Sequence, residues 1–178
     1  MHKDLAKVLF SEKEIENIVN SLAKEIEKDY NGREFIMVGL LKGSLTFMAD
    51  LMRKVDLDFA IDFIAASSYG SSTVSTGRVN IIKDVSMSVE DKDILIVEDI
   101  VDSGNTLEFI SKYFMAKKAA SVKICTLFDK PERRVTSIKP EYVGSKVPDE
   151  FIVGYGLDYN EKYRNLPYIG VLKPSVYS

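Results

Sequence analysis

The chain reads as an α/β protein, a parallel sheet flanked by helices on both faces, and three features of the sequence predict this. Short apolar runs alternate with longer segments of helical periodicity, the βα order that builds a parallel sheet. Ile94 to Val97 is apolar at every position, as in a strand covered on both faces. No repeat, low-complexity stretch or interdomain linker interrupts the order, and 178 residues suffice to bury a substantial core, so one domain over residues 1–178 is expected.

The elements follow in order. Ser11 with Glu14 fits a capping box, and Ile15, Ile18, Val19, Leu22 and Ile26 continue at helical spacing until Asn31-Gly32 stops the helix. Phe35 to Leu41 reads as a strand and Ser44 to Arg53 as the next helix. Leu57 to Ala65 reads as a second strand, with Leu57, Phe59, Ile61 and Phe63 on one side, and Val79 to Ile82 pairs nearby. After the strand at Ile94 to Val97 comes a helical segment, Leu107 to Met115, and then another core strand, Val122 to Phe128. Apolar segments around Phe151 and Ile169 complete the chain.

Composition removes several chemistries. A formal net charge of -3 argues against a broad electrostatic grip on nucleic acid. The single cysteine, Cys125, excludes an internal disulfide and is expected to pack in the core. No apolar run is long enough to span a membrane and Met1 to Phe10 is too short and charged for a secretory signal, so the cytoplasm is the expected location. The only histidine, His2, stands at a terminus expected to be mobile, which counts against a Ser-His-Asp triad or a histidine zinc site. Hard oxygen donors remain abundant, and carboxylates together with phosphate oxygens favour magnesium.

The most informative stretch runs from Ile94 to Leu107. Glu98 and Asp99 fall at the C-terminal edge of the apolar strand, where open α/β sheets bind ligands. Asp102-Ser103-Gly104-Asn105-Thr106 then leads into a helix, and backbone N–H groups at such a start can cradle a phosphate, with glycine permitting close approach. Together these suit a phosphorylated sugar. The acid pair is also compatible with a solvated strand end, or with the acidic pocket of a receiver-type phosphorelay domain. The latter places its acid pair near the N-terminus and has no use for Asp102 to Thr106.

Glu98 to Thr106 resembles the phosphoribosyl-pyrophosphate signature of the type I phosphoribosyltransferases. Leu40-Leu41-Lys42-Gly43-Ser44, Ser67-Ser68-Tyr69-Gly70 with Ser75-Thr76-Gly77, and Val153 to Glu161 resemble the hypoxanthine-guanine members of that family, and the likeness covers nearly the whole chain. Asn105 departs from many relatives, which carry a basic or other residue there; backbone binding of phosphate survives but one cation is absent. The resemblance implies the type I phosphoribosyltransferase fold. In it a small hood, built from the N-terminal segment and the region after Lys130, covers the C-terminal edge of the sheet.

It also implies roles. Glu98 and Asp99 would hold the ribose 2′- and 3′-hydroxyls, directly and through magnesium, while Ser103, Gly104, Asn105 and Thr106 receive the 5′-phosphate. Lys42 and Gly43 would meet pyrophosphate, and the Leu41-Lys42 peptide is cis in some relatives; the bland alternative is a strand-to-helix turn. Ser67 to Arg78, rich in serine and threonine, would be a lid bringing Ser68 and Tyr69 over the pyrophosphate, where otherwise it is a mobile surface loop. Lys130 would donate to the purine 6-oxo group, Phe151 would stack on the purine and the Ile152 backbone would meet the base edge. Asp158 would bind a second magnesium, and Arg164 would contact pyrophosphate. Their alternatives are an exposed lysine, a core phenylalanine and a salt-bridging surface arginine. Asp102, otherwise a helix cap, would sit beside purine N7 and move the base proton.

The implied reaction is transfer of 5-phosphoribosyl from phosphoribosyl pyrophosphate to N9 of hypoxanthine and guanine, yielding pyrophosphate and IMP or GMP. A homodimer or homotetramer is expected, without nucleic acid or membrane partners. Two rivals remain at this stage. A phosphoribosyltransferase for xanthine or a pyrimidine should lack Lys130 and Phe151-Ile152 in this arrangement, and a regulatory RNA- or DNA-binding relative sits poorly with the acidic balance.

Overall fold

The computed structural model describes residues 1–68 and 79–177, with Ser68 described by its backbone alone. Its larger sheet has six strands in the order β4 (Val79–Lys83), β3 (Ala60–Ser68), β2 (Phe35–Leu41), β5 (Asp93–Val101), β6 (Ser121–Asp129) and β7 (Tyr142–Lys146). All neighbours are parallel except β4, which runs antiparallel to β3. Because side chains alternate across a strand, the continuous apolar runs split between two cores. Phe35, Met37, Leu95, Val97, Cys125 and Leu127 pack with α1 (Glu12–Tyr30) and α2 (Leu45–Lys54). Ile36, Val38, Leu40, Ile94, Ile96 and Ile124 pack with α3 (Asn105–Ala116). Cys125 is fully buried, and burial pushes its thiol pKa far up, so it is core material.

This order makes a crevice. From β2 the chain steps outward through β3 to β4, then returns to the other side of β2 and proceeds through β5, β6 and β7. The switch lies between β2 and β5, so the loops leaving their C-terminal ends, Lys42-Gly43 and Asp102 to Gly104, diverge and leave room for a ligand.

A second sheet joins the two ends of the chain. β1 (Leu5–Phe10), β9 (Ile169–Leu172) and β8 (Ile152–Val153) form it in antiparallel order, and α4 (Pro174–Tyr177) follows. The terminus carrying His2 is tied down: its backbone N–H donates to the Tyr168 hydroxyl at 2.9 Å, and its ring meets Tyr163 edge-on at 5.3 Å between centroids. That corrects the expectation of a mobile end.

Local signals locate the remaining elements closely. Both bonds of the Ser11–Glu14 capping box are present, and Gly32 past the helix end has φ +75. β3 begins later than Leu57, and of the four residues expected on one side Leu57, Phe59 and Phe63 pack against the core whereas Ile61 is exposed. Glu98 and Asp99 lie within β5 rather than beyond it. Two strands escaped the sequence reading. β1 carries register shifts that break its alternation, and β7 is short and contains Gly144. β7 also shows that not all of the region after Lys130 belongs to the small sheet, since it pairs with β6.

Candidate active site

The β2–β5 crevice opens into a cavity of about 320 Å³ whose walls bring together Lys42, Gly43, Glu98, Asp99, Asp102, Ser103, Gly104, Thr106, Asp158 and Arg164. A second cavity, of about 370 Å³, adjoins it and is lined by Lys130, Arg133, Asp149, Glu150, Phe151, Ile152 and Tyr177. Ile100, Asp102 and Asp158 line both. One chamber is acidic and bounded by a helix start; the other carries two aromatic side chains and a lysine.

Glu98 and Asp99 are each only 8% exposed. They bond to the chain beside them, the Asp99 N–H donating to Glu98 at 3.1 Å and the Ile100 N–H to Asp99 at 2.9 Å. Among the described residues neither has a lysine or arginine ion-pair partner. Burial, followed by the charge of Asp99, pushes the Glu98 pKa well above the ordinary carboxylate range. Gly43 presses against this pair: a Cβ there would overlap the Asp99 carboxylate, and one on Gly156, at φ +102, would overlap the Gly43 carbonyl. The Leu41-Lys42 peptide is cis.

The helix start is formed by Gly104, whose φ of +87 lets the chain turn from β5 into α3 and which, having no side chain, provides no side-chain cap. Asn105 lies at the first turn of α3, with its N–H 3.4 Å from Ser103 Oγ, although it does not line the cavity. A buttress supports the turn from outside. The Val135 N–H donates to the Ser103 carbonyl at 3.0 Å, and Arg134 donates through Nε to the Asp102 carbonyl at 3.1 Å and through Nη1 to Ile138 at 2.7 Å. Arg134 is itself held by an ion pair with Asp129. The Asp102 carboxylate meets Arg133 Nε at 3.2 Å.

On the opposite wall, Asp158 pairs with Arg164 at 2.9 Å, and Glu161 reaches both Lys42 at 3.1 Å and Arg164 at 3.3 Å. Those hydrogen bonds lower the Glu161 pKa. Arg164 Nε is buried without a hydrogen-bond partner among the described residues. In the second chamber Lys130 Nζ donates to the Glu150 carbonyl at 2.7 Å, and burial lowers its pKa against the opposing charge of Asp102. Phe151 is 38% exposed, while Ile152 is held in β8.

Of the residues singled out from sequence, Ser68 closes β3 opposite Val79, and Tyr69, Ser75, Thr76 and Gly77 of the expected lid lie outside the described residues. Sequence reasoning passed over Arg133, Arg134 and Tyr177, and gave Glu161 no role. Nothing local marks Arg134 or Tyr177, whose partners lie elsewhere in the chain.

A larger cavity of about 970 Å³ lies between α1 and α2 and touches the crevice only through Arg164. Within it Lys13 and Lys54 pair with Glu16, and Arg53 with Asp50. Among the described residues no three His, Cys, Asp or Glu side chains converge as a metal site, and no helix is long and apolar enough to cross a membrane.

The model of the phosphoribosyl transferase domain family matches residues 7–160. The chain belongs to that family. A hypoxanthine-guanine phosphoribosyltransferase of Staphylococcus aureus strain Mu50 is 53% identical over 178 residues, spanning 100% of this chain and 99% of the relative. The tetragonal crystal structure of a hypoxanthine phosphoribosyltransferase from Staphylococcus aureus superposes with TM-score 0.96 at 53% identity, covering 100% of this chain and 97% of that one. A hypoxanthine-guanine phosphoribosyltransferase from Bacillus anthracis, solved with HEPES in its active site, gives TM-score 0.91 at 48% identity over 95% of this chain and 99% of that one. The fold of this chain is therefore the type I phosphoribosyltransferase fold.

Glu98 gives the phosphoribosyltransferase a pH-dependent weakness. Its folded pKa lies above the ordinary 4.5, so the folded state holds the proton longer, and stability falls as pH rises from 4.5 through the raised value, then levels. Glu98→Gln should abolish that loss and melt higher than wild type in ligand-free protein at pH 8, by about 2–4 °C for each ~1 kcal/mol relieved. Thermal scans at pH 5 and pH 8 should show the gap widening with pH; a constant gap would mean that Glu98 titrates normally.

Proposed function

We propose that this phosphoribosyltransferase works in purine salvage, transferring the 5-phosphoribosyl group of phosphoribosyl pyrophosphate to N9 of hypoxanthine and of guanine, with IMP or GMP and pyrophosphate as products. The observation that carries the reading is the junction of two chambers at Asp102 and Asp158. One suits a sugar with phosphates at both ends, the other a flat base with a 6-oxo group, and their shared wall is where the new bond must form.

In this reading the first-turn N–H groups at Gly104, Asn105 and Thr106, with Ser103, hold the 5′-phosphate. The Glu98 and Asp99 carboxylates accept from the ribose hydroxyls. Two buried acids without an ion-pair partner among the described residues and an all-oxygen donor set fit magnesium completed by substrate oxygens. Glu98, Asp99 and Asp158 would hold it, and bound magnesium supplies counter-charge to the leaving pyrophosphate. Lys42 and Arg164 exchange their Glu161 partner for pyrophosphate oxygens, the buried Arg164 Nε being a donor that still lacks an acceptor. Gly43, whose lack of a side chain lets its loop close on Asp99, would meet the pyrophosphate, and Ser68, at the end of β3, together with Tyr69 would help exclude water from an oxocarbenium-like ribosyl carbon.

Lys130 offers only donors, which suits a 6-oxo acceptor and opposes the 6-amino group of adenine. Phe151 stacks on the base, the Ile152 backbone meets its edge, and Asp102 moves the proton at N7. A homodimer or homotetramer in the cytoplasm, with hood segments β1, β8 and β9 over the crevice, completes the proposal; the net charge of -3 agrees with the absence of a nucleic-acid partner.

Incubation with phosphoribosyl pyrophosphate, magnesium and each of hypoxanthine, guanine, xanthine, adenine and uracil tests this directly. The 6-oxopurines should react, with adenine disfavoured by about ten-thousandfold. Turnover of uracil alone would assign another base, and no turnover of any would favour a regulatory protein. Lys130→Ala should lower kcat/KM for hypoxanthine about ten- to hundredfold, the worth of a hydrogen bond from a charged donor, and narrow the ratio to adenine. Asp102→Asn should lower turnover by about a hundredfold or more at every pH while leaving phosphoribosyl pyrophosphate binding nearly intact. Unchanged turnover would remove Asp102 from proton transfer.

A further inference from the structure

We propose that Tyr177, the last described residue, is a purine-binding residue that extends the aromatic wall of the base chamber begun by Phe151. The proposal rests on the reading of that chamber as the purine subsite, and it adds a residue from the extreme C-terminus.

Three observations carry it. Tyr177 lines the same cavity as Lys130, Asp102 and Phe151. Its ring is stacked on that of Phe151, with centroids 5.0 Å apart and planes inclined by 26°. Tyr159 closes the cluster edge-on, 5.5 Å from Phe151 at 88° and 6.5 Å from Tyr177 at 66°. Stacked and edge-to-face pairs at these separations are favourable arrangements of the ring quadrupoles, so each ring restricts the others.

The placement of Tyr177 follows from the small sheet. β9 ends at Leu172, where the Leu172 N–H donates to the Phe151 carbonyl at 2.8 Å. The Lys173 N–H then donates to the Asp4 carbonyl at 2.9 Å and its Nζ to the Lys3 carbonyl, pinning the chain to the N-terminal segment. Val176 donates back to the Lys173 carbonyl and packs with Leu5 and Leu172, so the single turn α4 delivers Tyr177 to the mouth of the chamber.

A ring at that position is either a wall or a plug. The cavity of about 370 Å³ persists with Tyr177 in place, still bounded by Lys130 and Asp102, so the ring borders the space rather than filling it. Phe151 and Tyr177 are similarly exposed, 38% and 40%. Because the two rings already cover each other's facing surfaces, a planar base lies against one outer face of the pair, and the pre-stacked rings present that face without first being ordered.

The test is steady-state kinetics of Tyr177→Ala, Tyr177→Phe and Phe151→Ala with hypoxanthine and phosphoribosyl pyrophosphate varied separately. Tyr177→Ala should raise KM for hypoxanthine by about 3- to 10-fold, the range of an aromatic pairing, with KM for phosphoribosyl pyrophosphate unchanged. Tyr177→Phe should restore the wild-type value. A hypoxanthine KM that stays constant or falls in Tyr177→Ala, while Phe151→Ala raises it, overturns the wall and leaves the purine subsite standing. Equal rises for both substrates, or a lowered Tm with neither KM changed, make Tyr177 a structural residue and also overturn it. If Phe151→Ala too leaves the hypoxanthine KM unchanged, the chamber is not the purine subsite and the proposal falls with it.

Discussion

Two adjacent carboxylates at the end of the central strand, each almost wholly buried, are the constraint around which the site is built. Burying one ionised acid is costly, and burying two side by side more so, unless their charge is met. Local N–H groups satisfy part of the demand, and Gly43 is squeezed against Asp99, with Gly156 in turn packed on the Gly43 carbonyl. Among the described residues no lysine or arginine ion-pairs with either acid. In the proposed reading, a ligand that brings hydroxyl donors and a divalent cation together meets that demand.

The opposite wall solves the inverse problem. Lys42 and Arg164 would repel each other and bind any passing anion, and Glu161 holds both while the Arg164 Nη1 donates to the Gly156 carbonyl at 2.7 Å. Asn160, Glu161 and Tyr163 all take positive φ, at 50°, 60° and 75°, so the loop presenting that carboxylate is held in an uncommon backbone conformation. In the proposed reaction a pyrophosphate replaces one carboxylate with a more highly charged group. The small sheet joins both chain ends, and its strand β8 brings Ile152 to the wall of the second chamber beside Ile100, Asp102 and Lys130.

Much of this was legible in the amino-acid order because the signals are local. The Ser11–Glu14 box spans one turn, the runs Phe35 to Leu41 and Ile94 to Val97 betray two-sided burial, and acid pair, glycine turn and helix occur consecutively from Glu98 to Thr106. What stayed hidden depends on distant partners. Leu5 to Phe10 becomes a strand only because Ile169 to Leu172 lies beside it, and Tyr142 to Lys146 only because β6 offers an open edge. Arg134 looks like any surface arginine until Asp129 and the Asp102 carbonyl surround it. Gly43 reads as a turn residue, yet the nearest obstacle to a side chain is Asp99, a residue remote in sequence.

The central claim is that Glu98 and Asp99 are buried for a ligand and not for the fold. Isothermal calorimetry of phosphoribosyl pyrophosphate binding, with magnesium present, to wild type and to the Glu98→Gln, Asp99→Asn double variant measures it. The account predicts a folded variant whose affinity falls roughly tenfold or more, since the amides lose the charged acceptors for ribose hydroxyls and the metal oxygens. A folded variant that binds with wild-type affinity would contradict it and reduce the pair to the end of a strand.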